Sequence, residues 1–326
     1  MATRTIGIGL LGAGVVGGGV ARTIFEKRKS LLYASGASIE LRNVLVRDLH
    51  KSRGIDSLSD LLTTNPQDVL ENPEVDVVVE VLGGQVPAKD YIFQAISNGK
   101  HVVTANKDVM AKYGPEILEA AHAKQVRVLF EATVAGGTPI IAPLQRDLSA
   151  NEVIAVNGII NGTTNYILTN MSNGMSFDEA LSDAKDRGYV EADESLDLDG
   201  LDAAAKLVIL ANWIMGMKVT MPDIIRTGIR GVSTDDIKNA EVNSSSIKLI
   251  ASCDGNLTVS PIEIKSNNPL CVNGTLNAIA FTSEHSGTQT IIGRGAGGIE
   301  TASSILRDLK FSCVKTSFHH QTHSKP

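Results

Sequence analysis

The chain has 326 residues, of which 43% are hydrophobic and 20% are charged, and its net charge is −6. These values are ordinary for a folded protein of about two domains. The acidic balance excludes the basic surface that binds nucleic acid, so we expect no nucleic-acid partner. The three cysteines are scattered without a CxxC spacing, which argues against a disulfide framework or a zinc site.

The N-terminus enters a strand-like run, IGIGLLG, that is too short and too rich in glycine for a signal peptide. No stretch approaches the ~20 uninterrupted apolar residues of a membrane span. The cysteine usage also fits a reducing compartment. We therefore expect a cytoplasmic protein with no membrane partner.

Strand-like and helix-like segments alternate up to about residue 131. Strands are predicted at residues 5–11, 41–47, 75–81, 101–105 and 127–131. Helices or helical turns are predicted at residues 16–32, 59–62, 66–70, 88–98 and 114–124. The run VDVVVEV at 75–81 is typical of a strand buried on both faces of a parallel sheet. The alternation predicts an α/β fold with a Rossmann-type doubly wound parallel sheet.

The pattern changes near Ala132. Helices are predicted at residues 140–148, 166–173, 176–187 and 201–216, and strands at residues 153–160, 246–251, 257–265 and 270–281. Hairpin-like strands after a parallel sheet predict a second domain of α+β type. Residues 317–326, with three histidines, are more typical of a loose end than of a metal site.

A glycine-rich motif, Gly12-Ala-Gly14-Val15-Val16-Gly17, follows the first strand and opens the first helix. In the dinucleotide fingerprint the first glycine permits a tight turn, the second lets the backbone approach the pyrophosphate, and the third lets helix and strand pack closely. The free N–H groups of the helix then face the phosphates. A plain tight turn is the alternative, but the position after a strand favours nucleotide binding.

The second strand ends in Arg47 and Asp48, with Lys51 and Arg53 close behind. An acid at this place binds the ribose hydroxyls of NAD, whereas an arginine accommodates the extra phosphate of NADP. A solvated loop is the third reading. The three cations favour NADP slightly, and the choice between NADP and NAD stays open.

Lys107 follows the strand at 101–105, and Gly83 follows the strand before it. In an open α/β sheet, ligands bind outside the carboxyl ends of the strands. Lys107 would then lie near the nicotinamide, and Gly83 would let a flat ring approach. A surface lysine that begins a helix is an equally good reading of this position.

Glu131, Val134, Gly136 and Thr138 surround a glycine-rich turn at the expected domain boundary. Backbone carbonyls and one carboxylate suit a hard monovalent cation better than zinc. A flexible hinge is the alternative.

The loop Asn161-Gly162-Thr163-Thr164-Asn165 joins a predicted strand to a helix. Its N–H and hydroxyl groups could hold a carboxylate, or they could only cap the helix.

Six acids crowd the segment GYVEADESLDLDGLDAAAK, which leads into an apolar helix. The acids are Glu191, Asp193, Glu194, Asp197, Asp199 and Asp202. Within the helix, Asp202 and Lys206 are the ionisable side chains and are spaced i,i+4 on one face. Buried charges are costly unless paired, so this is either a structural ion pair or a site for a charged small molecule that uses a lysine of lowered pKa.

These motifs together resemble homoserine dehydrogenase. The resemblance rests on GLLGAGVVGGG, VVVEVLGG, HVVTANK, EATVAGGTPII, NGTTNYIL and GYVEADESLDLDGLDAAAK, and it reaches GRGAGG at residues 293–298. It implies reversible reduction of L-aspartate 4-semialdehyde to L-homoserine with NADP or NAD, in threonine and methionine biosynthesis. The acidic, glycine-poor loop EADESLDLD departs from the proline-bearing loop common in relatives.

The resemblance also implies residue roles. Catalytic residues would be Lys107, Lys206 and Asp202, and substrate-binding residues would be Glu191, Asp197, Tyr189, Gly162 and Thr163. Cofactor-binding residues would be Gly12, Gly14, Val15, Val16, Gly17, Arg47, Gly83, Thr104, Lys107 and Gly293. A sodium or potassium ion would be held by Glu131, Val134, Gly136 and Thr138.

For organisation, the resemblance implies a dinucleotide-binding domain at 1–133, completed by 293–326, and a substrate-binding and dimerisation domain at 134–292. A homodimer is expected. Because only about 30 residues follow GRGAGG, we expect a short, monofunctional form without the regulatory ACT domain of many relatives.

Two other functions stay open at this point. One is a different NAD(P)-dependent amino-acid dehydrogenase on the same scaffold. The other is a nucleotide-sensing regulator that has lost catalysis, although the lysines and acids are retained.

Overall fold

The computed structural model describes residues 4–147 and 151–312, which form two compact units. Unit 1 comprises Met1–Thr133 and Gly297–Pro326, and unit 2 comprises Val134–Ala296. The return to unit 1 falls at Gly297, so Gly293 belongs to unit 2, whereas the resemblance implies a return at Gly293. The tail at 317–326 and Cys313 lie outside the described residues.

Unit 1 is built on a six-stranded sheet in the order β3-β2-β1-β4-β5-β6, and all of its pairs are parallel. The strands are β1 (Thr5–Leu11), β2 (Ser38–Leu45), β3 (Leu62–Thr63), β4 (Val77–Glu80), β5 (His101–Thr104) and β6 (Val128–Leu129). The helices are α1 (Val15–Glu26), α2 (Arg28–Ser35), α3 (Gln67–Leu70), α4 (Ala88–Ser97), α5 (Lys107–Ala123) and α12 (Gly298–Ser312). Short 3-10 helices lie at Asp56–Leu61 and Glu131–Thr133. The predicted doubly wound parallel sheet is confirmed.

Successive side chains of β1 point to opposite faces of this sheet. Ile6, Ile8 and Leu10 are buried in a core cluster that includes residues of α1 and α12. On the other face, a Cβ added to Gly9 would lie 2.5 Å from a Val69 methyl. Glycine in β1 thus lets α3 pack directly on the strand.

Unit 2 has a mixed sheet in the order β12-β11-β7-β9-β10-β8. Its strands are β7 (Val153–Ile159), β8 (Ile225–Arg226), β9 (Ser245–Asp254), β10 (Asn256–Lys265), β11 (Leu276–Ser283) and β12 (Gly287–Arg294). Its helices are α6 (Ile141–Asp147), α7 (Gly162–Ser172), α8 (Phe177–Asp186), α9 (Ser195–Leu198), α10 (Leu201–Ile214) and α11 (Thr234–Val242), with a 3-10 helix at Met221–Asp223. The strands pair antiparallel except for β8 with β10, which agrees with the predicted α+β type.

Helix α10 lies against β7, β9 and β10 and buries most of its surface. An apolar core on the sheet includes Ile159, Ile250 and Ile264. The nearly all-round burial explains why the helix is apolar except for Asp202 and Lys206. This helix carries the ion pair of the candidate site.

Several predicted boundaries are wrong. The helix predicted at 16–32 is two helices that meet at Lys27. Helix α5 begins at Lys107 rather than at residue 114, because Asn106 caps it and Pro115 is accommodated inside it. The strand predicted from residue 270 begins at Leu276, and β12, α11 and α12 are absent from the predictions.

In the described residues, no helix combines the length and the apolar character that crossing a membrane requires.

Candidate functional site

The turn between β1 and α1 has the geometry of a phosphate-binding loop. Gly12 has a φ of +105°, and its N–H donates to the Leu45 carbonyl at 3.0 Å. A Cβ on Gly17 would lie 2.0 Å from the Gly12 carbonyl oxygen, so glycine is required for the helix to pack on the turn. A Cβ on Gly14 would meet nothing within 4 Å. The space beside Gly14 is therefore open to a ligand.

Helix α1 has free N–H groups at its start. Its N-cap, Gly14, provides no side-chain hydrogen bond, and no acid lies in its first turn. The first N–H groups of a helix have no acceptor within it, and the dipole favours an anion there. Val15 is 83% exposed at this position, and Val16 is half-buried. These residues fit the pyrophosphate of a dinucleotide.

The carboxyl ends of β4 and β5 are joined by a buried carboxylate, Glu80. It accepts hydrogen bonds from the Thr104 hydroxyl at 2.6 Å and from the Leu82 N–H at 2.8 Å. Burial raises the pKa of Glu80, although these hydrogen bonds oppose the rise. The Asn106 amide donates to the Gly84 carbonyl at 2.7 Å. The edge expected to face the nicotinamide is thus held by side chains.

Lys107 is the first residue of α5 and is half-buried. Its position follows from the cap at Asn106, whose side chain accepts the Val109 N–H at 3.2 Å. Gly83 has a φ of +74° in the loop after β4. Both residues lie at the carboxyl edge of the sheet, where the sequence predicts them.

Arg47 and Asp48 are exposed after β2. Asp48 accepts the His50 N–H at 2.8 Å, and Arg53 donates to the carbonyls of Asp48 and Lys51. Arg53 therefore stabilises the loop, whereas the side chains of Arg47 and Lys51 are both exposed beside it.

The acidic segment of unit 2 contains a buried network centred on Asn161. The Asn161 amide donates to Asp197 at 2.8 Å and to Asp202 at 2.9 Å. Lys206 donates to Asp202 at 2.7 Å and to the Ile160 carbonyl at 2.9 Å. The side chains of Lys206 and Asp202 are 12% and 5% exposed. The predicted i,i+4 pair is present, and it belongs to a larger polar cluster.

Asp197 is buried and contributes negative charge to this cluster. Burial raises the pKa of its carboxyl, and the hydrogen bonds from Asn161 and the Glu191 N–H oppose that rise. Glu191 is exposed beside it. Two carboxylates close to a third, Asp202, form an electronegative place suited to an ammonium group.

The start of α7 provides hydrogen-bond donors, in contrast to the carboxylates of the acidic segment. Asn161 caps the helix by accepting the Thr164 N–H at 2.8 Å. The N–H groups of Gly162 and Thr163 are the first two of the helix and have no acceptor within it. The Thr163 hydroxyl donates to the Tyr189 carbonyl at 2.7 Å, and Tyr189 is 41% exposed. One stretch of unit 2 thus combines acids with free N–H groups, which are the groups that bind an amino acid.

The remaining acids of the segment point to other partners. The Asp193 carboxylate accepts hydrogen bonds from the Ser195 hydroxyl at 2.6 Å and from the Ser195 N–H at 3.0 Å. Glu194 and Asp199 form ion pairs with Arg230 at 3.0 and 2.8 Å. Asp197 and Asp202 are therefore buried in the network around Asn161, whereas Asp193, Glu194 and Asp199 bind partners outside it.

The sequence places Asn161 in a loop that could cap α7, but it does not predict the contacts of Asn161 with both acids. The capping reading is confirmed, since an asparagine immediately before a helix is a preferred N-cap. Its contact with Asp197 and Asp202 depends on a tertiary approach that local patterns do not encode.

The predicted cation ligands lie in buried backbone. Glu131 is 2% exposed, and its N–H donates to Asp308 at 3.0 Å. Burial, together with the charge of Glu131, raises the pKa of Asp308 to about 8. Val134 and Thr138 are also buried. The described residues contain no group of three or more His, Cys, Asp or Glu side chains arranged for a metal ion.

Gly293 has a packing role in unit 2. A Cβ on Gly293 would lie 2.4 Å from the Thr138 hydroxyl, and a Cβ on Gly136 would lie 2.3 Å from the Gly295 carbonyl. Gly136 also has a φ of +53°. These glycines let two segments of unit 2 approach closely.

Family models match most of the chain. The model described as the NAD binding domain of homoserine dehydrogenase matches residues 12–131, and the model described as homoserine dehydrogenase matches residues 139–309.

Individual proteins show the same similarity. A homoserine dehydrogenase of Synechocystis sp. is 45% identical over 94% of this chain and 72% of its own length. A crystal structure of a homoserine dehydrogenase from Thiobacillus denitrificans superposes with a TM-score of 0.89 at 40% identity, covering 96% of this chain and 74% of that one. A hyperthermophilic archaeal homoserine dehydrogenase in complex with NADPH has a TM-score of 0.83 at 29% identity, covering 96% of this chain and 99% of that one.

Proposed function

Because the chain belongs to the homoserine dehydrogenase family, we propose roles for its residues in the reaction of that family. The chain is an NAD(P)-dependent oxidoreductase that acts on a CH–OH group. It interconverts L-homoserine and L-aspartate 4-semialdehyde in threonine and methionine biosynthesis. The nicotinamide of the cofactor, when bound, accepts or supplies the hydride.

The observation that carries the assignment is the network of Asn161, Asp197, Asp202 and Lys206. The Lys206 ammonium has three donors, and two of them are used by Asp202 and the Ile160 carbonyl. The third is left for the substrate oxygen. Asp202 fixes the direction of that donor from one helical turn away.

The two ends of homoserine bind to opposite polarities of unit 2. Glu191 and Asp197 bind the ammonium group, and the N–H groups of Gly162 and Thr163 bind the carboxylate. Tyr189 lines the same pocket, and its carbonyl is fixed by Thr163. Holding both ends of the substrate fixes the reacting carbon and lowers the entropy cost of the reaction.

Lys107 and Lys206 have different roles, one in proton transfer and the other in the stabilisation of charge. In the direction of reduction, the carbonyl oxygen gains negative charge as the carbon receives hydride. Lys107 donates the proton to that oxygen, and Lys206 stabilises the developing charge. In the direction of oxidation, Lys107 takes the proton back.

The cofactor residues of unit 1 are proposed as Gly12, Gly14, Val15, Val16 and Gly17 for the pyrophosphate, with Gly83, Thr104 and Lys107 at the nicotinamide edge. Arg47 binds the 2′-phosphate, which makes NADP the preferred cofactor. Comparing kcat/KM for NADPH and NADH tests this preference, and equal values would contradict it. Gly293 is proposed as a further cofactor residue, and its contact with Thr138 gives it a packing role as well.

A sodium or potassium ion is proposed for the chain segment that carries Glu131, Val134, Gly136 and Thr138. Oxygen donors from a carboxylate and backbone carbonyls suit such an ion. Titrating sodium and potassium chloride against a constant ionic strength of choline chloride tests the requirement. Identical rates in all three salts would show that the enzyme does not require such an ion.

A homodimer is proposed as the assembly. Sedimentation velocity at micromolar concentration distinguishes a dimer from a monomer.

Paired variants of the acidic segment test the substrate site. We expect Asp197→Asn to raise the KM for homoserine about tenfold, because it removes one charge that attracts the ammonium group. Asp193→Asn is the matched control, since Asp193 accepts a hydrogen bond from the Ser195 hydroxyl and is proposed to contact no substrate. The assignment fails if Asp193→Asn and Asp197→Asn have the same KM.

A further inference from the structure

Lys248 on β9 is a fully buried cation outside the residues discussed so far. It is 1% exposed. Its ammonium donates to the Asn165 side-chain oxygen at 2.9 Å, to that of Asn273 at 3.0 Å and to the Thr169 hydroxyl at 3.4 Å. These acceptors are neutral, and burial lowers the pKa of Lys248 to about 8. A buried charge held only by neutral groups is costly, so its retention requires a reason.

The acceptors of Lys248 belong to two different parts of unit 2. Asn165 and Thr169 lie on α7, and Asn273 lies in residues 271–276, which we name the 271–276 segment. Asn165 also donates to the carbonyls of Val272 at 3.1 Å and Leu276 at 3.0 Å. Lys248 thus closes a network that joins α7, β9 and this segment.

The same segment contacts the first residue of α7. A Cβ on Gly162 would lie 2.9 Å from the Thr275 carbonyl oxygen, so the segment and the helix start are in close contact. A shift of the 271–276 segment toward α7 would therefore displace the backbone at Gly162. The network around Lys248 therefore joins β9 both to α7 and to the segment that packs against the start of α7.

We propose that Lys248 is a positioning residue of the substrate site. By joining Asn165 and Asn273, it holds α7 and the 271–276 segment so that the N–H groups of Gly162 and Thr163 receive the substrate carboxylate. The inference rests on the proposed role of those two residues. Lys248 itself does not touch the substrate.

Two substrate fragments separate this role from a general loss of structure. 4-Hydroxybutanoate has the carboxylate of homoserine without the ammonium group, and 3-aminopropan-1-ol has the ammonium group without the carboxylate. Each is used as a competitive inhibitor of homoserine oxidation. A defect in the carboxylate subsite weakens the first compound only.

The test variant is Lys248→Met, which removes the donors and retains the length of the side chain. We expect the KM for homoserine and the Ki of 4-hydroxybutanoate to rise about tenfold, a loss of about 1.4 kcal/mol. The Ki of 3-aminopropan-1-ol, the KM for the cofactor and kcat stay close to those of the parent. Lys265→Met is the matched control, because Lys265 lies on β10 and is bonded to the Asn243 carbonyl instead.

A second variant keeps the test independent of folding. Asn273→Ala removes one acceptor of Lys248 at an exposed position, and we expect the same pattern with a smaller change. An unchanged Ki of 4-hydroxybutanoate in both variants overturns the proposal. Equal weakening of both compounds also overturns it.

A third variant distinguishes failure of the inference from failure of the proposed carboxylate subsite. Gly162→Ala places a methyl group against the Thr275 carbonyl and displaces the helix start directly. If it weakens 4-hydroxybutanoate while the Lys248 and Asn273 variants do not, the subsite stands and the positioning role is wrong. If Gly162→Ala also leaves this compound unaffected, the subsite assignment fails, and the role of Lys248 fails with it.

Discussion

Asn161 shows how one neutral side chain can organise a charged site. Its amide nitrogen donates to Asp197 and Asp202, while its oxygen accepts the Thr164 N–H. Because the two carboxylates share one donor group, they are held close together despite their like charges. The Asp202–Lys206 pair thereby acquires a fixed direction that an isolated ion pair on a helix would lack.

Lys248 predicts an unusual dependence of stability on pH. In the unfolded chain its pKa is the ordinary one, near 10.5, and in the folded chain it is about 8. Between these values the unfolded state binds more protons, so the free energy of unfolding rises with pH. Removal of Lys248 abolishes this contribution. Apart from its neutral acceptors, Cys271 is the titratable group that faces it.

We therefore expect the parent to gain about 2 kcal/mol of unfolding free energy relative to Lys248→Met between about pH 7.5 and about pH 9.5. Urea unfolding at both pH values measures this difference. Lys265→Met should follow the parent. Parallel profiles for the parent and Lys248→Met would show that the buried lysine has an ordinary pKa.

At the scale of single residues, the sequence predicted the charged groups better than their partners. The spacing of Asp202 and Lys206 on an apolar helix predicted their ion pair, because i,i+4 positions share a face of any helix. The contacts of Asn161 and Lys248 could not be predicted. They depend on residues 25 to 83 positions away in the chain, which only the tertiary fold brings together.

At the scale of elements, the turn from β1 to α1 is defined by glycines with different physical roles. Gly17 is needed for packing, because its Cβ would clash with the Gly12 carbonyl. Gly14 and Gly18 both face open space, yet only Gly14 lies at the N-cap where a phosphate would approach. Substitutions at Gly14 and Gly18 therefore separate an effect on ligand binding from an effect on stability.

We expect Gly14→Ala to weaken NADP binding at least about tenfold, because a methyl group would separate the pyrophosphate from the helix N–H groups. Gly18→Ala should bind normally and gain about 0.5 to 1 kcal/mol of stability from better helix propensity. Isothermal titration and urea unfolding measure the two quantities. Normal NADP binding by Gly14→Ala would contradict the assignment of this turn.

The predicted elements of unit 1 follow the structure more closely than those of unit 2. Buried parallel strands such as Val77–Glu80 are continuous apolar runs, so the sequence marks them clearly. In unit 2, β12 is largely exposed and rich in threonine and glycine, and it carries no such run. The 271–276 segment was predicted as part of a strand, although its backbone is bonded to side chains of α7.

At the scale of the whole molecule, unit 1 is formed by two separate parts of the chain. Helix α12 comes from the C-terminal part of the chain and packs on α1. Ile305 and Leu309 are fully buried in the same core cluster as β1. The core of unit 1 is therefore completed by a helix that follows unit 2 in the chain.

Ile305→Ala should lower the free energy of unfolding by about 3 kcal/mol, as expected for a large-to-small substitution in a packed core. Ser303→Ala on the exposed face of the same helix should change it by less than about 0.5 kcal/mol. Urea unfolding followed by circular dichroism compares the two. Equal stability of both variants would show that α12 is not part of the core.

The central claim is that Lys107 and Lys206 carry the chemistry of homoserine oxidation. The decisive measurement is kcat for homoserine and NADP with Lys107→Ala, Lys206→Ala and the exposed control Lys218→Ala, each checked for folding by circular dichroism. We predict a loss of at least about 100-fold in the first two variants, the range typical of positioned acid–base groups, and an unchanged kcat in the control. Near-normal kcat in both Lys107→Ala and Lys206→Ala, with intact folding, would contradict the account.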